Sequence, residues 1–235
     1  MRELIARGNP PEYIYAGYQT AGRGQQGNGW ESAPDENLLC SILIEREKTV
    51  ALKEESPFYM NVAVSVAVQR LLGEGFTIKW PNDIYWQDKK VAGILIENAI
   101  VGNQVAYSIA GIGLNVNQTE FLSGAPNPIS LRQISGESYD IDALMNQLLA
   151  SVREVQTWPR EQLWAYYRAH LYRREGLWPF VEREVSTAPT MNADSATKGQ
   201  FLARIEDILP TGEIVLRDQE GKKRKYHFKQ IRYVV

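Results

Sequence analysis

The chain has 235 residues, of which 44% are apolar and 23% charged, with twelve tyrosines; this is a folded, water-soluble profile, large enough for one domain or for a large and a small one, and it excludes a disordered chain. The formal charge of −2 excludes a general nucleic-acid binder, which carries a basic footprint over its whole domain. A single cysteine, Cys40, excludes an intrachain disulfide and a thiolate zinc cage.

After a short polar start, EYIYAGYQT reads as a strand that runs into the glycine-rich stretch TAGRGQQGNGW, residues 20–30, and NLLCSILIE reads as a buried strand beyond it. ESPFYMNVAVSVAVQRLLGEG follows. Ser56 as cap, Pro57 at the first helical position and Gly73 as a stop favour a helix, although the alternating valines also suit a strand. FTIKWPNDIYW reads as strand, Pro-Asn-Asp turn and strand; KKVAGILIEN and QVAYSIAGIGLNV read as two more strands. SLRQISG is a short capped helix. DIDALMNQLLASVREVQ is a longer one, capped by Asp140, with Ile141, Leu144, Leu148, Leu149, Val152 and Val155 on one face. A further helix from Pro159 places Leu163, Trp164, Tyr167 and Leu171 at core spacing. The register breaks at Gly176, where a domain boundary is expected, and residues 177–235 alternate short strands with turn signals, as in a small barrel. No apolar run approaches the ~20 residues that cross a bilayer, and MRELIARGNPPE lacks a signal peptide's apolar stretch. The expectation is a cytoplasmic protein with neither membrane nor nucleic acid as partner.

The glycine stretch leaves amides exposed at close range, which suits a loop around a phosphate or carboxylate, and Arg23 adds a planar cationic fork. It is not a Walker loop, because no Gly-Lys-Ser/Thr follows; nor is it a Rossmann fingerprint, because Gly22, Gly24 and Gly27 precede a strand rather than a helix. A ligand-free hairpin loop remains the competing reading. Lys79, Asn82, Asp83 and Lys90 fall on two strands joined by a turn and are expected to converge on one sheet edge, although Asn82 and Asp83 can also serve the turn alone. His170 and His227 lack carboxylate partners at metal spacing, so no protein metal ligands are assigned. GKKRKYHFKQ reads as a solvated strand face, with contact to an acidic partner second. Trp158, Trp164 and Trp178 are assigned to a seam between packed units.

The motifs TAGRGQQGNGW, KWPNDIYW, KKVAGILIE and AGIGLNVN stand in the order and approximate spacing of biotin protein ligases, which residues 12–118 of the chain resemble. The resemblance implies an α+β fold: residues 1–176 would form a mixed β-sheet flanked by helices, similar to class II aminoacyl-tRNA synthetase cores, and residues 177–235 an SH3-like β-barrel. It implies an ATP-dependent ligase that forms biotinyl-5′-AMP and transfers biotin to a lysine of a biotin carboxyl carrier domain of acetyl-CoA carboxylase or a related carboxylase. Magnesium would bind with the nucleotide, and two copies can pair through sheet edges.

By resemblance, Lys90, Arg23 and Asp83 are catalytic: Lys90 meets the biotin carboxylate and α-phosphate, Arg23 closes over both, and Asp83 accepts a proton from the acceptor lysine. Gln19, Gly22, Arg23, Gly24, Gln25, Lys90, Gly93, Gly111 and Gly113 match biotin-binding positions. Arg23, Gln25, Trp30, Lys79, Asn82, Lys90 and Asn115 match adenylate-binding positions. Two departures stand out. Gln25 replaces an arginine of many bacterial relatives, which implies looser retention of the adenylate. The family's strand and Ser-Thr-Asn segment before the first helix has no counterpart, since RELIARGNPPE resembles that helix's tail, and no winged helix-turn-helix is expected either. A lipoate-type ligase and a catalytically weak biotin-binding adaptor are the alternative readings.

Overall fold

The computed structural model describes residues 1–22, 24, 29–51, 56–122, 127–183 and 197–235. Arg23, Gln25 and Gly27 lie outside the described residues. Helix α1 (Arg2–Ala6) leads into β1 (Tyr13–Ala16), and β2 (Asn37–Ala51) lies beyond the glycine stretch. Then come α2 (Tyr59–Leu72), β3 (Phe76–Lys79), β4 (Asp83–Trp86), β5 (Lys89–Val101) and β6 (Gln104–Asn115). Their strands form a six-stranded sheet in the order β1-β2-β6-β5-β4-β3. Every pairing in it is antiparallel, which corrects the expected mixed sheet; parallel geometry enters through isolated bridges such as Lys90 with Pro128.

The boundary signals of α2 outweigh its alternating valines. The helix begins at Tyr59 rather than at the expected Pro57, with Phe58 at the cap position and no side-chain cap bond; the Ser56 hydroxyl accepts from the Phe58 amide at 3.2 Å in the turn before it, and Gly73 ends the helix at φ 85°. Val62, Val64, Val66 and Val68 are all buried together with Ala63 and Ala67, because α2 lies between the sheet and two other helices, so its apolar pattern runs all the way round. Those helices are α4 (Ile141–Gln156), capped through the Asp140 side chain, and α5 (Arg160–Ala169). The short α3 (Leu131–Ser135) carries a full Ser130–Gln133 capping box and stops at left-handed Gly136.

Strand alternation divides the sheet into two faces. Leu38, Cys40, Ile42 and Ile44 of β2, Ala92 and Ile94 of β5, and Ala110, Ile112 and Leu114 of β6 join the core beneath the helices. The Cys40 thiol lies in that core and burial pushes it up to about 12. The intervening residues Leu39, Ser41, Gly93, Leu95, Glu97, Ile109, Gly111 and Gly113 face the other way.

Strands β7 (Trp178–Arg183), β8 (Thr197–Ile208), β9 (Ile214–Asp218), β10 (Lys223–Tyr226) and β11 (Ile231–Tyr233) form a second antiparallel sheet in the order β10-β9-β8-β7-β11. Among the described residues β10 and β11 are its edges and do not pair, so the sheet is open where a closed barrel was expected. The seam between the sheets is built on Trp80, which the sequence reading left out of it: its indole N–H donates to the Gly212 carbonyl at 3.0 Å and its ring meets Phe228 edge-on. A Cβ at Gly212, itself at φ +97°, would lie 2.9 Å from the Phe58 ring, so the two units touch there backbone to ring. Of the tryptophans assigned to the seam, Trp158 packs within the helices against Tyr166, whereas Trp164 packs on Phe58, the ring that Gly212 abuts, and Trp178 of β7 lies under Arg173, so these two stand at the seam.

Candidate active site

The open face of the six-stranded sheet floors a cavity of about 860 Å³, whose opposite rim carries Arg183, Phe228, Lys229, Arg232 and Tyr233 from the C-terminal sheet. Strand register sets the floor in rows. Leu39, Gly113, Gly93 and Asp83 lie side by side across β2, β6, β5 and β4; Ser41, Gly111 and Leu95 form the next row; Ile109 and Glu97 lie beyond.

A bulge between Ile84 and Tyr85 puts Lys90 opposite Tyr85 and Gly93 opposite Asp83, so three steps of β5 span two of β4. The Lys90 side chain lies forward over Gly93, where an added Cβ would meet Nζ at 3.2 Å, and its ammonium pairs with Asp83 Oδ1 at 2.7 Å. Its main chain is held separately: the Lys90 amide donates to the Asn127 carbonyl at 2.8 Å, and the Lys90 carbonyl accepts from the Ile129 amide at 2.9 Å.

Lys79 lines the same cavity at the end of β3. Its ammonium donates to the Tyr85 hydroxyl at 2.7 Å and lies 4.3 Å from the Tyr85 ring centre and 5.3 Å from that of Tyr233. Burial holds this lysine down from its ordinary 10.5 to about 8, with Asp83 opposing the shift and Lys90 and Arg173 adding to it. A carboxylate flanked by two ammonium groups on a glycine floor is therefore the electrostatic centre of the site.

The remaining candidates divide. Gln19, Gly24, Trp30, Asn82, Gly93, Gly111 and Gly113 line the cavity with Lys79, Asp83 and Lys90. Trp30 lies on the first row, where a Cβ at Gly113 would come within 2.4 Å of its indole and one at Gly93 within 2.9 Å; its buried indole N–H has no hydrogen-bond partner among the described residues. Gly22 braces that ring from behind, its carbonyl accepting from the Trp30 amide at 3.1 Å. Asn82 donates to the Ile94 carbonyl while the Ile94 amide donates to the Asn82 carbonyl at 3.2 Å, so Asn82 also pins the turn to β5. Asn115 is buried outside the cavity and its amide donates to the carbonyls of Ile129 at 3.2 Å and Lys90 at 3.5 Å, bracing the segment that holds the Lys90 main chain. His170 stacks on Tyr166, and among the described residues no three His, Cys, Asp or Glu side chains are grouped to hold a metal ion.

Sequence reasoning missed Ser41, Leu95 and Glu97 on the floor, Arg2 paired with Glu97 at its far end, and the basic rim. Alternation along β2 and β5 was the signal for the floor. The basic run GKKRKYHFKQ touched the rim through Phe228 and Lys229 without revealing which way they face.

An antiparallel sheet with helices on one side carries, on the other, two lysines and a carboxylate above glycines, an electrostatic setting that suits an anionic ligand. Residues 4–115 match the model of the Biotin/lipoate A/B protein ligase family. The chain is 29% identical to the bifunctional ligase/repressor BirA of Bacillus spizizenii, over 94% of this chain and 67% of that one. It is 28% identical to BirA of Escherichia coli, over 72% of this chain and 49% of that one, so it spans between half and two thirds of these relatives' length. The biotin protein ligase of Aquifex aeolicus in complex with biotin and ATP shares the fold, with a TM-score of 0.69 at 22% identity over 99% of this chain and 94% of that one.

Proposed function

We propose that the chain is an ATP-dependent biotin protein ligase that makes biotinyl-5′-AMP and transfers biotin to a lysine of the biotin carboxyl carrier domain of acetyl-CoA carboxylase or a related carboxylase. The carrying observation is the Lys90–Asp83 pair at 2.7 Å over Gly93, with Lys79 beside it, on the floor of one cavity. In this reading Lys90 leaves Asp83 to bind the biotin carboxylate, and Lys79 faces the phosphates. Both cations offset the repulsion as a carboxylate oxygen attacks the α-phosphorus and pyrophosphate leaves. Arg23 and Gln25, on the glycine stretch, close over the product.

The carboxylate end fixes the direction of the ligand. From Gly93 to Glu97 is four residues of β5, roughly 13 Å at strand spacing, so an acid chain would cross the second row, Ser41, Gly111 and Leu95, towards the Glu97–Arg2 pair. Ser41 and the Glu97–Arg2 pair suit a ureido ring, whose N–H groups donate and whose carbonyl accepts. Gln19, Gly22 and Gly24 close the biotin side, and Trp30, Asn82 and Asn115 are assigned to the nucleotide side, Asn115 through the brace behind Lys90.

In the second step the amine nitrogen of the carrier lysine attacks the acyl carbon, the bond to AMP breaks, and Asp83, released from Lys90, takes the proton. Magnesium, when bound with ATP, neutralises phosphate charge; with no protein cage for it among the described residues, it would ride on the nucleotide. Residues 1–176 would be the catalytic unit and residues 177–235 an SH3-like unit whose exposed Phe228 and Lys229 meet the carrier. Pairing of two copies would use the edge strands β1 and β3. We place the protein in the cytoplasm, where ATP and carboxylases meet; among the described residues no helix is long and apolar enough to cross a membrane.

The test is pyrophosphate release from ATP with biotin or lipoate, followed by biotin transfer to a purified carrier domain. Biotin-dependent release and transfer, both lost in Lys90→Ala with the fold intact, are expected. Release with lipoate alone would transfer the assignment to a lipoate ligase, and biotin binding without release would make the chain an adaptor.

A further inference from the structure

Lys79 reaches the cavity from a crowded setting. Tyr85 of β4 gives it a hydroxyl acceptor and a ring face, and Tyr233, the last residue of β11, gives a second ring from the other sheet. Tyr172 packs against both tyrosines, with ring centres 5.1 Å from Tyr85 and 5.8 Å from Tyr233. The strand end that carries Tyr233 is tied down in turn, because Arg173 donates to the Val234 carbonyl at 2.7 Å. Asp83, Asp88, Lys90 and Arg173 are the charged groups that act on Lys79 from the surrounding elements. Among the described residues the buried Tyr233 hydroxyl makes no hydrogen bond. A phenol with an idle hydroxyl contributes its ring, and among the described residues the cation over that ring is Lys79.

We propose that Tyr233 is a positioning residue for adenylate formation: its ring and that of Tyr85 hold the Lys79 ammonium in one place, so that the C-terminal sheet supplies part of the catalytic centre. A lysine has a long flexible stem and, left alone, samples many rotamers. Between two aromatic faces the ammonium is held by attraction to the ring quadrupoles, which acts on the cation and not on the neutral amine. The charge is therefore in position before the α-phosphate acquires its extra charge. The role rests on the ligase reading for its chemistry, whereas the clamp itself is a property of the resting protein.

The experiment uses the full chain with Tyr233→Phe, Tyr233→Leu, Lys79→Met and the last two combined, following biotin-dependent pyrophosphate release. Tyr233→Phe is expected to stay within about twofold of the parent, because the hydroxyl is unused, and Tyr233→Leu to lose roughly three- to thirtyfold in kcat/KM, the range of a cation–π contact. In the Lys79→Met background Tyr233→Leu should cost nothing more. An equal loss in both backgrounds, or a loss in Tyr233→Phe matching that in Tyr233→Leu, overturns the proposal.

Should Tyr233→Leu fail to fold, phenylalanines bearing one, two and three ring fluorines at position 233 keep the shape and weaken the ring face; the rate should fall stepwise with fluorination, and a flat series refutes the clamp. Competitive acylation of Lys79, read by mass spectrometry between about pH 6 and 10, separates the two readings. If the parent releases no pyrophosphate the ligase assignment fails, yet the clamp still requires the labelling midpoint of Lys79 to fall as fluorines are added. An unchanged midpoint removes it.

Discussion

Lys79→Met is expected to make the protein more stable while disabling it. The Lys79 ammonium is held down from 10.5 to about 8 by burial, and at 1.36 kcal/mol per tenfold change in proton affinity this gap corresponds to about 3 kcal/mol of unfavourable protonation in the folded state. The Tyr85 hydroxyl loses its 2.7 Å donor in the variant, which returns about 1 kcal/mol. The net gain is about 2 kcal/mol at pH 7, or roughly 4–8 °C in Tm for a domain of this size.

The sign follows from proton linkage. A lysine with a lowered folded pKa binds its proton more weakly when folded, so its penalty is complete below about 8 and disappears as the pH rises towards 10.5. Urea unfolding of parent and variant at matched pH measures the difference. It should be largest near neutrality and fall by about 3 kcal/mol towards the alkaline end, leaving the variant about 1 kcal/mol less stable there for want of the Tyr85 hydrogen bond, while pyrophosphate release falls about a hundredfold or more, as when one preorganised electrostatic group is removed. A variant less stable than the parent at pH 7, or a difference that grows with pH, would refute the reasoning.

Parent activity itself should decline above about pH 8 as Lys79 loses its charge, which a pH profile of adenylate formation reads directly. Gly113→Ala forces a Cβ to within 2.4 Å of the Trp30 indole; displaced, the ring should leave its place on the floor, with a loss of about 1–3 kcal/mol in urea unfolding and a changed tryptophan fluorescence. Asp83→Asn should slow transfer to the carrier domain more than it slows adenylate formation, seen by comparing pyrophosphate release with carrier biotinylation; equal effects would confine Asp83 to orienting Lys90. Cys40, buried with its thiol pushed up to about 12, should resist alkylation at pH 8 in the native protein and react at once in urea.

Most elements were legible because their boundaries carry local chemistry. Asp140 and Gly73 end their helices where expected, SLRQISG is capped by Ser130, and the two halves of KWPNDIYW fold back as strands. Gly93, Gly111 and Gly113 share one face with Asp83 because alternation along paired strands is a local property. What eluded the sequence depends on register or on distant partners. The bulge that brings Lys90 to Asp83 leaves no residue signature. Asn115 reads as a ligand contact until the segment at Ile129 is seen to use its amide. Tyr233 and Tyr85 are 148 residues apart in the numbering, and Lys79 lies between them only because the second sheet docks through Trp80 and Gly212.

The peptide groups on either side of the Lys90 α-carbon are tied to residues 127 and 129, while its ammonium pairs with Asp83 and lies 5.6 Å from the Trp30 ring centre. Its backbone is thus an anchored pivot and its stem a swinging arm. The charge can exchange one anionic partner for another by rotation about carbon–carbon bonds alone, with no strand obliged to slide and no neighbour obliged to repack. Swapping partners becomes a motion of picoseconds to nanoseconds, leaving the slower steps to chemistry and to departure of the product.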